Sequence, residues 1–308
     1  MKRNIEERNR IKGMSQRQAD FLLVLVTLGW GISYIFMDFC LETFGPFTLN
    51  MYRFLIASVL AYVIRRKYIN RTINRNTVKW GIIIGILLFM VYACTTFGIR
   101  LTTVSNTGFL CAMTVVFTPF FSAVFFRKIP DFKTVTAIVF CFIGMAMLTI
   151  GDNFAITSDS FKGDMLCVMC GFFYAFDLLV TEVAVKHDDV DAYTLGTIQL
   201  FTVGILNLIG SLLTENTTVV PDLKTALAAL FLSLFSTGFA FIVQPIAQKY
   251  TAASRVGLIF TLEPVFNVVA AYFILHEVLN VRGYIGSAIM IASLVIMEID
   301  FNAKRKVK

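Results

Sequence analysis

The sequence predicts an all-α integral membrane protein with ten transmembrane helices. We expect them to form two inverted five-helix repeats, with both termini in the cytoplasm. Three observations carry this prediction: the chain is very apolar, its apolar residues fall into ten runs, and its basic residues gather on alternate connections. Each run is expected to be helical because lipid offers the backbone no hydrogen-bonding partner, so every peptide group needs an internal one.

The composition excludes an ordinary soluble domain. Of the 308 residues, 57% are hydrophobic and only 15% are charged, whereas about 25% of a typical soluble domain is charged. Too few charged groups are present to cover a water-exposed surface, so the expected partner of this surface is the lipid bilayer. The net charge of +7 comes from residues placed between apolar runs, which is a membrane topology signal rather than a nucleic-acid-binding stripe.

Ten apolar segments are long enough, or nearly so, to cross a bilayer, which takes about 20 residues of helix. The connections are short, so consecutive helices are expected to run antiparallel. The segments are 18–38, 46–64, 80–99, 102–126, 134–150, 163–185, 192–213, 225–248, 253–275 and 283–299.

The basic residues predict the orientation. Of the 27 lysines and arginines, 22 lie in the two tails and in connections 65–79, 127–133, 186–191 and 249–255, and only four lie on the opposite connections. Basic residues favour the cytoplasmic side, so both tails are placed there, as an even number of spans requires. Trp80 follows Lys79 at the inner end of the third segment, the interfacial position that tryptophan prefers. The expected location is the cell membrane, crossed many times.

The sequence also repeats itself. Residues 101–108 read LTTVSNTG and residues 250–257 read YTAASRVG, with Thr, Ser and Gly at matching positions, and a proline follows each stretch at Pro119 and Pro264. Five spans per half make the two halves insert with opposite orientation, an arrangement typical of transporters, whose binding site lies between the halves near the midplane. The predicted organisation is a cytoplasmic tail at 1–17, a first repeat at 18–150, an external loop at 151–162, a second repeat at 163–299 and a cytoplasmic tail at 300–308.

Motifs for catalysis or metal binding are not found, so neither an enzyme activity nor a cofactor is expected. His276-Glu277-Val278-Leu279-Asn280 opens like a zinc-protease helix but ends in Asn where the second histidine is needed. Cys167 and Cys170 lie within an apolar run and are interpreted as small apolar filler. The lack of a Walker A sequence argues against transport driven by ATP in this chain alone.

Several short motifs point to a known family. They are Gly29-Trp30-Gly31, Gly45-Pro46 and Arg53-Phe54 in the first half, and Gly163-Asp164, Ala252-Ala253-Ser254, Glu263-Pro264-Val265-Phe266, Glu277 and Gly286 in the second. The chain resembles two tandem units of the EamA branch of the drug/metabolite transporter superfamily. The resemblance implies ten helices, cytoplasmic termini and secondary transport, often export, of metabolites. The first half departs from the pattern, because Arg127-Lys128-Ile129-Pro130 stands where the second half has Glu277.

Three ionisable residues lie within predicted spans, where a charge costs about 2.5 to 3.5 kcal/mol to insert. Arg53 is either an anion contact or half of a structural pair. Glu263, beside a helix-breaking proline, is either a cation or proton site or a structural acid at a hinge. Asp177 lies near the midplane, where burial disfavours the charged form, so it is either a proton or amine site or a partner of Arg53 or of a hydroxyl.

Other candidates for the lining of a solute path are polar or aromatic residues within the spans, although such side chains often only join neighbouring helices. They are Tyr174, Gln199, Gln244, Asn267, Trp30 and Tyr34.

The function predicted from these observations is secondary transport of a small solute by alternating access. The expected solute is an amino acid or a related amine, exported with energy from a proton gradient or from the solute's own gradient. The alternatives left open are a sensory or structural membrane protein and a lipid-modifying membrane enzyme. The sequence leaves the oligomeric state open.

Overall fold

The computed structural model describes residues 14–102, 104–127, 131–149, 161–215, 221–275 and 281–298. Within these ranges the chain is helical apart from short turns and contains no strand, so the all-α prediction is confirmed there. The helices are α1 Gln16–Leu41, α2 Pro46–Thr72, α3 Arg75–Ile99, α4 Val104–Cys111, α5 Thr114–Phe126, α6 Phe132–Thr149, α7 Phe161–Ala184, α8 Ala192–Thr214, α9 Leu223–Phe231, α10 Ala240–Gln248, α11 Ala253–Phe260, α12 Glu263–Leu275 and α13 Val281–Glu298, with a π-helical segment at Leu232–Phe239 that joins α9 to α10.

Within the described residues, each predicted apolar segment is mainly helical. In the described residues, seven helical runs are long and apolar enough to cross a bilayer, and Thr114–Phe125 and Phe132–Gly144 are shorter apolar helices. The protein is therefore a multi-pass membrane protein. Ten spans with both tails in the cytoplasm remain a prediction, as do the boundaries of the two repeats.

Two predicted segments are each broken into two helices. The fourth divides into α4 and α5 at residues 112–113, and the ninth divides into α11 and α12 at residues 261–262. Both breaks fall at the same distance from the repeated stretches 101–108 and 250–257, so the internal repeat extends to the backbone. At each break a threonine hydroxyl donates to a carbonyl three residues earlier: Thr114 to Cys111 at 2.9 Å and Thr261 to Leu258 at 2.6 Å.

Helix α2 continues eight residues beyond the predicted end of its apolar segment. The basic residues from Arg65 onward ended the apolar run, but the helix bends at Arg65 and continues to Thr72. The Tyr193 hydroxyl on α8 donates to the Ala61 carbonyl at 2.9 Å, one turn before the bend. This hydrogen bond gives the carbonyl a donor from a neighbouring helix next to the distorted turn.

Helix starts are capped by short polar side chains, as the absence of an intrahelical partner for the first amides requires. Asn74, Asp191 and Asp222 each accept from a backbone amide three residues on. Helix α2 instead begins with Gly45-Pro46, and its first amides are capped by a residue that is distant in sequence. Glu215, just after α8, accepts from the amides of Phe47 at 2.9 Å and Thr48 at 2.7 Å.

Two groups of helices face each other across the centre of the molecule. In group A, α1 packs against α9, the π-helical segment, α10, α11 and α12; in group B, α7 packs against α3, α4 and α5. Helix α2 packs on α8, and α6 on α13. The same kind of contact recurs with the halves exchanged, since α1 packs on the α9–α10 run as α7 packs on α3.

Candidate functional site

A cavity of about 690 Å³ lies between groups A and B. Group A contributes residues of α1, α10 and the α11–α12 break, and group B contributes residues of α3, the α4–α5 break and α7. The lining residues are Trp30, Ser33, Tyr34, Met37, Arg53, Val91, Tyr92, Thr95, Cys111, Ala112, Thr114, Cys170, Tyr174, Phe241, Gly257, Phe260, Thr261 and Glu263.

Aromatic rings form much of the wall. Trp30 lies edge-on to Phe260, with 4.7 Å between ring centroids, and also contacts Tyr174 at 5.9 Å and Phe241 at 5.5 Å. Tyr174 and Phe260 are parallel, at 6.0 Å. The rings belong to three separated parts of the chain, so the wall exists only in the folded bundle.

Glu263 is the carboxylate of the cavity. It is half-buried and opens α12, directly after the 261–262 break, and it interacts with the Tyr34 hydroxyl of α1. Pro264 therefore lies in the first turn of α12, where its missing amide has no partner to lose. The carboxylate thus stands at a helix N-terminus, whose partial positive charge favours acidic groups.

Arg53 also borders the cavity but is held by the protein. Its Nε donates to Thr237 Oγ1 at 3.2 Å, Nη2 to Ser236 Oγ at 3.1 Å and Nη1 to Met37 Sδ at 3.6 Å. The guanidinium carbon lies 5.1 Å from the centroid of the Tyr92 ring. Within the part of the chain that the structure describes, no carboxylate pairs with this arginine.

The π-helical segment positions both Arg53 and Trp30. Ser236 and Thr237, which bind Arg53, lie within it, and the Ser236 carbonyl accepts from Trp30 Nε1 at 2.7 Å. A π-helical turn is rare and often marks a functional site. Here two of its side chains and one of its carbonyls hold two residues of the cavity wall, Arg53 and Trp30.

Asp177 lies behind the cavity rather than on its wall. The residue is 1% exposed, and its Oδ2 accepts from Gln244 Nε2 at 3.3 Å. Gln244 Oε1 in turn accepts from the Tyr174 hydroxyl at 3.0 Å, and Tyr174 does line the cavity. Asp177 Oδ1 has no hydrogen-bond partner. The sequence left open a pair with Arg53, but the contact of Asp177 is Gln244.

These contacts belong to a polar seam between α7 of group B and the α10–α11 region of group A. Gln248 Nε2 donates to the Leu178 carbonyl at 2.9 Å, and the Ala253 amide donates to Glu182 Oε2 at 2.8 Å. The seam is defined by the contacts Tyr174–Gln244–Asp177, Gln248–Leu178 and Ala253–Glu182, and it extends from the cavity wall at Tyr174 towards the end of α7. Glu182 also pairs with Lys186 there.

Of the nine candidates from the sequence, Trp30, Tyr34, Arg53, Tyr174 and Glu263 line the cavity, whereas Asp177, Gln199, Gln244 and Asn267 do not. Gln199 donates instead to the Phe241 carbonyl at 3.1 Å. Sequence reasoning missed Met37, Phe241 and Phe260 as wall residues. With 31 phenylalanines in the chain, nothing in the sequence distinguishes the two that face inward.

The described residues contain no group of three histidines, cysteines or acids placed to hold a metal ion. Glu277, one of the motif residues, lies outside them.

The fold and the cavity together define a class: a multi-pass membrane protein with a cavity between two helix groups. The comparisons with known proteins make this specific. The profile of the EamA-like transporter family matches residues 17–150 and again residues 161–299. The chain belongs to the EamA-like transporter family, in two tandem units, as the motifs predicted.

Relatives carry transporter names without a stated substrate. An uncharacterized transporter of Archaeoglobus fulgidus is 26% identical over 96% of this chain and 90% of its own length. Another, from Methanothermobacter thermautotrophicus, is 26% identical over 89% of this chain and 84% of its own. Uncharacterized transporter YoaV of Bacillus subtilis is 21% identical over 92% of this chain and 97% of its own. These relatives support a role as a membrane transporter.

A solved crystal structure shares the fold. It superposes with a TM-score of 0.79 at 16% identity and covers 96% of this chain and 100% of its own. At that identity the likeness concerns the fold alone.

Proposed function

We propose that this protein is a secondary transporter that exports a small metabolite, an amino acid or a related amine, by alternating access. The observation that carries the proposal is the cavity itself. It lies between two helix groups drawn from both family units, and it contains one half-buried carboxylate among aromatic rings. Such a site suits a solute of modest size with an amino group.

Alternating access requires that the cavity be closed at one end at a time. The polar seam between α7 and the α10–α11 region supplies such a closure at the end where the basic connections gather. Because its bonds join group A to group B, rocking of one group against the other would break them together. Inverted repeats predict an equivalent closure at the opposite end in the other state.

The first experiment identifies a solute and then measures its flux. A thermal-shift screen of the purified protein against amino acids and amines finds ligands, because a ligand that binds the native state stabilises it. Uptake of the hits into proteoliposomes should saturate with concentration and accelerate when unlabelled solute is present on the opposite side. Glu263→Gln should lower this flux at least about tenfold, whereas Glu42→Gln, an exposed acid at the end of α1, should leave it unchanged.

Absence of protein-dependent flux for every solute that stabilises the protein would overturn the proposal and favour a sensory or structural role. Chemical change of the liposome lipids by the protein would instead favour the lipid-modifying enzyme. Flux that neither saturates nor responds to solute on the opposite side would indicate a channel.

A further inference from the structure

The walls of the cavity select for charge, and we infer that its ligand is an organic cation: an amine with an apolar body and no carboxylate of its own. This inference rests on the proposed function but narrows it, since it separates amines from zwitterionic amino acids. The ammonium group would lie at Glu263 and the apolar body between Trp30, Tyr174 and Phe260.

The charged groups that border the cavity differ in accessibility. Glu263 is half-buried, so a ligand can reach its carboxylate. Arg53 is only 1% exposed, and each of its three nitrogens already donates to Thr237, Ser236 or Met37. The face of Tyr92, itself a wall residue, lies over the guanidinium. Three of the five N–H groups of the guanidinium are therefore engaged and one of its faces is covered. Glu263 has the Tyr34 hydroxyl as a neighbour, but a carboxylate has about four lone-pair sites, so it can also accept from an ammonium group.

Three hydroxyl groups on the wall donate their proton to a backbone carbonyl. Ser33 donates its proton to the Trp30 carbonyl at 2.8 Å, and Thr114 donates to the Cys111 carbonyl at 2.9 Å. Thr95 donates to the Val91 carbonyl, also at 2.9 Å. A hydroxyl has one proton and two lone pairs, so the hydrogen-bonding capacity that remains on these three oxygens is that of acceptors. Lone pairs suit a ligand that carries N–H donors and suit an anion poorly.

The aromatic wall favours a cation for a separate reason. The face of an aromatic ring carries partial negative charge and attracts a cation within about 6 Å, most strongly when the ring belongs to Trp. Trp30 and Phe260 are 4.7 Å apart at 66°, and Tyr174 lies parallel to Phe260. Several ring faces and edges therefore surround a ligand that is anchored at Glu263, and the same rings bury its apolar body.

The intrinsic fluorescence of a tryptophan on the cavity wall can report ligand binding and so test this inference. Its two tryptophans are Trp30, on the cavity wall, and Trp80. In a Trp80→Phe background, tryptophan fluorescence reports the cavity alone. Three ligands share one skeleton and differ in charge: phenethylamine is a cation, phenylalanine a zwitterion and phenylpropionate an anion. The expected result is a Kd for phenethylamine at least about tenfold lower than for phenylalanine, with phenylpropionate weakest.

Substitutions test whether Glu263 is the source of the preference for cations. Glu263→Gln should weaken phenethylamine binding at least about tenfold and tighten phenylpropionate binding, since the repelling carboxylate is gone, while Glu263→Asp restores part of the preference and Glu42→Gln behaves as wild type. Thermal stability and gel filtration in detergent confirm that each variant is folded.

Equal or tighter binding of phenylalanine or phenylpropionate would overturn the inference, as would lack of response to both phenethylamine and tetraethylammonium at millimolar concentration. Saturable flux of a zwitterion would overturn it while leaving the transport proposal intact, and absence of all flux with selective amine binding would do the reverse.

Discussion

Asp177 and Glu263 are both acids within membrane spans, but their different surroundings suit them to different roles in transport. Glu263 faces the cavity, whereas Asp177 is buried behind Tyr174 and bonded to Gln244 across the seam. An acid in that place can influence the solute only through Gln244 and Tyr174 or through the closure of the seam. If transport is driven by protons, Asp177 is therefore better placed to couple the proton to gating than to bind the amine.

Replacement of Asp177 by Asn tests this coupling. The amide oxygen can still accept from Gln244 Nε2, so the seam keeps its bond while the titratable group is lost. We expect Asp177→Asn to lower uptake driven by a proton gradient more than it lowers passive exchange, and Asp38→Asn, an exposed acid at the far end of α1, to lower neither. Equal activity of mutant and wild type in both modes, measured in proteoliposomes, would remove Asp177 from the mechanism and leave Glu263 as the next candidate.

Arg53 is predicted to stabilise the fold rather than to hold the solute. Its planar group reaches three acceptors and a ring at once, and lysine, with a single nitrogen, cannot. Arg53→Lys should therefore destabilise the protein by about 1–3 kcal/mol, the usual cost of losing buried hydrogen bonds, visible as a lower Tm. An unchanged Tm together with a loss of ligand affinity would instead place Arg53 among the binding residues.

At the scale of the helices, close contact between α1 and α12 sets the position of Glu263. A Cβ atom added at Gly31 would lie 2.6 Å from Phe266 Cβ and 2.8 Å from the Glu263 carbonyl oxygen. Real Cβ contacts are not so short, so α12 would have to move. Gly29, two residues earlier on the same helix, leaves 3.6 Å to the nearest atom, the Phe235 carbonyl oxygen.

The two glycines form a matched pair for measurement. Gly31→Ala should cost about 1–3 kcal/mol, as overpacking does, and should weaken ligand binding because the first turn of α12 carries Glu263. Gly29→Ala should be neutral or slightly stabilising, because alanine favours helix over glycine by up to about 1 kcal/mol. Thermal unfolding in detergent and a binding titration decide the matter. Indistinguishable behaviour of the two variants would show that α1 and α12 are not closely packed in solution.

The positions of the helices could be predicted from the sequence. The breaks within them, and the side of each helix that faces the cavity, could be predicted only in part. Apolar runs alone predict a helix over each segment, and Pro264 signals the break at 261–262 that follows from its missing amide. The break at 112–113 has no such signal, since Pro119 lies seven residues later inside α5. Position in an apolar run predicts only that a residue lies within a helix of the bundle, and Trp30, Tyr34, Arg53, Tyr174 and Glu263 also border the cavity.

The sequence does not show how each helix is rotated about its own axis, and therefore which residues face the cavity. A helix that is apolar on all sides has no polar stripe to show which side faces inward, so Asp177, Gln199, Gln244 and Asn267 were indistinguishable from wall residues. Asp177, Gln199 and Gln244 form hydrogen bonds with neighbouring helices instead. The π-helical segment at Leu232–Phe239 was likewise invisible, because its residues are ordinary for a membrane helix.

At the scale of the whole molecule, the topology remains to be measured. We expect residues 65–79 and both tails to face the cytoplasm. Single cysteines at positions 72 and 157, in a background without the six native cysteines, should react with an impermeant thiol reagent from opposite sides of the membrane. Thr72 ends α2, and position 157 lies outside the described residues. Labelling of both positions from outside would overturn the ten-span arrangement.

The central claim is that groups A and B move against each other so that the cavity opens at one end at a time. Spin labels at Leu101 and Asp38 report the outer opening, and labels at Tyr250 and Asp188 report the inner one. All four side chains are exposed. In each pair one label lies on or beside group A and the other on or beside group B. Distances measured by pulsed electron resonance should change in opposite directions when a transported solute shifts the population. If both pairs widen together, or neither responds to a solute that is transported, alternating access between these two groups is wrong.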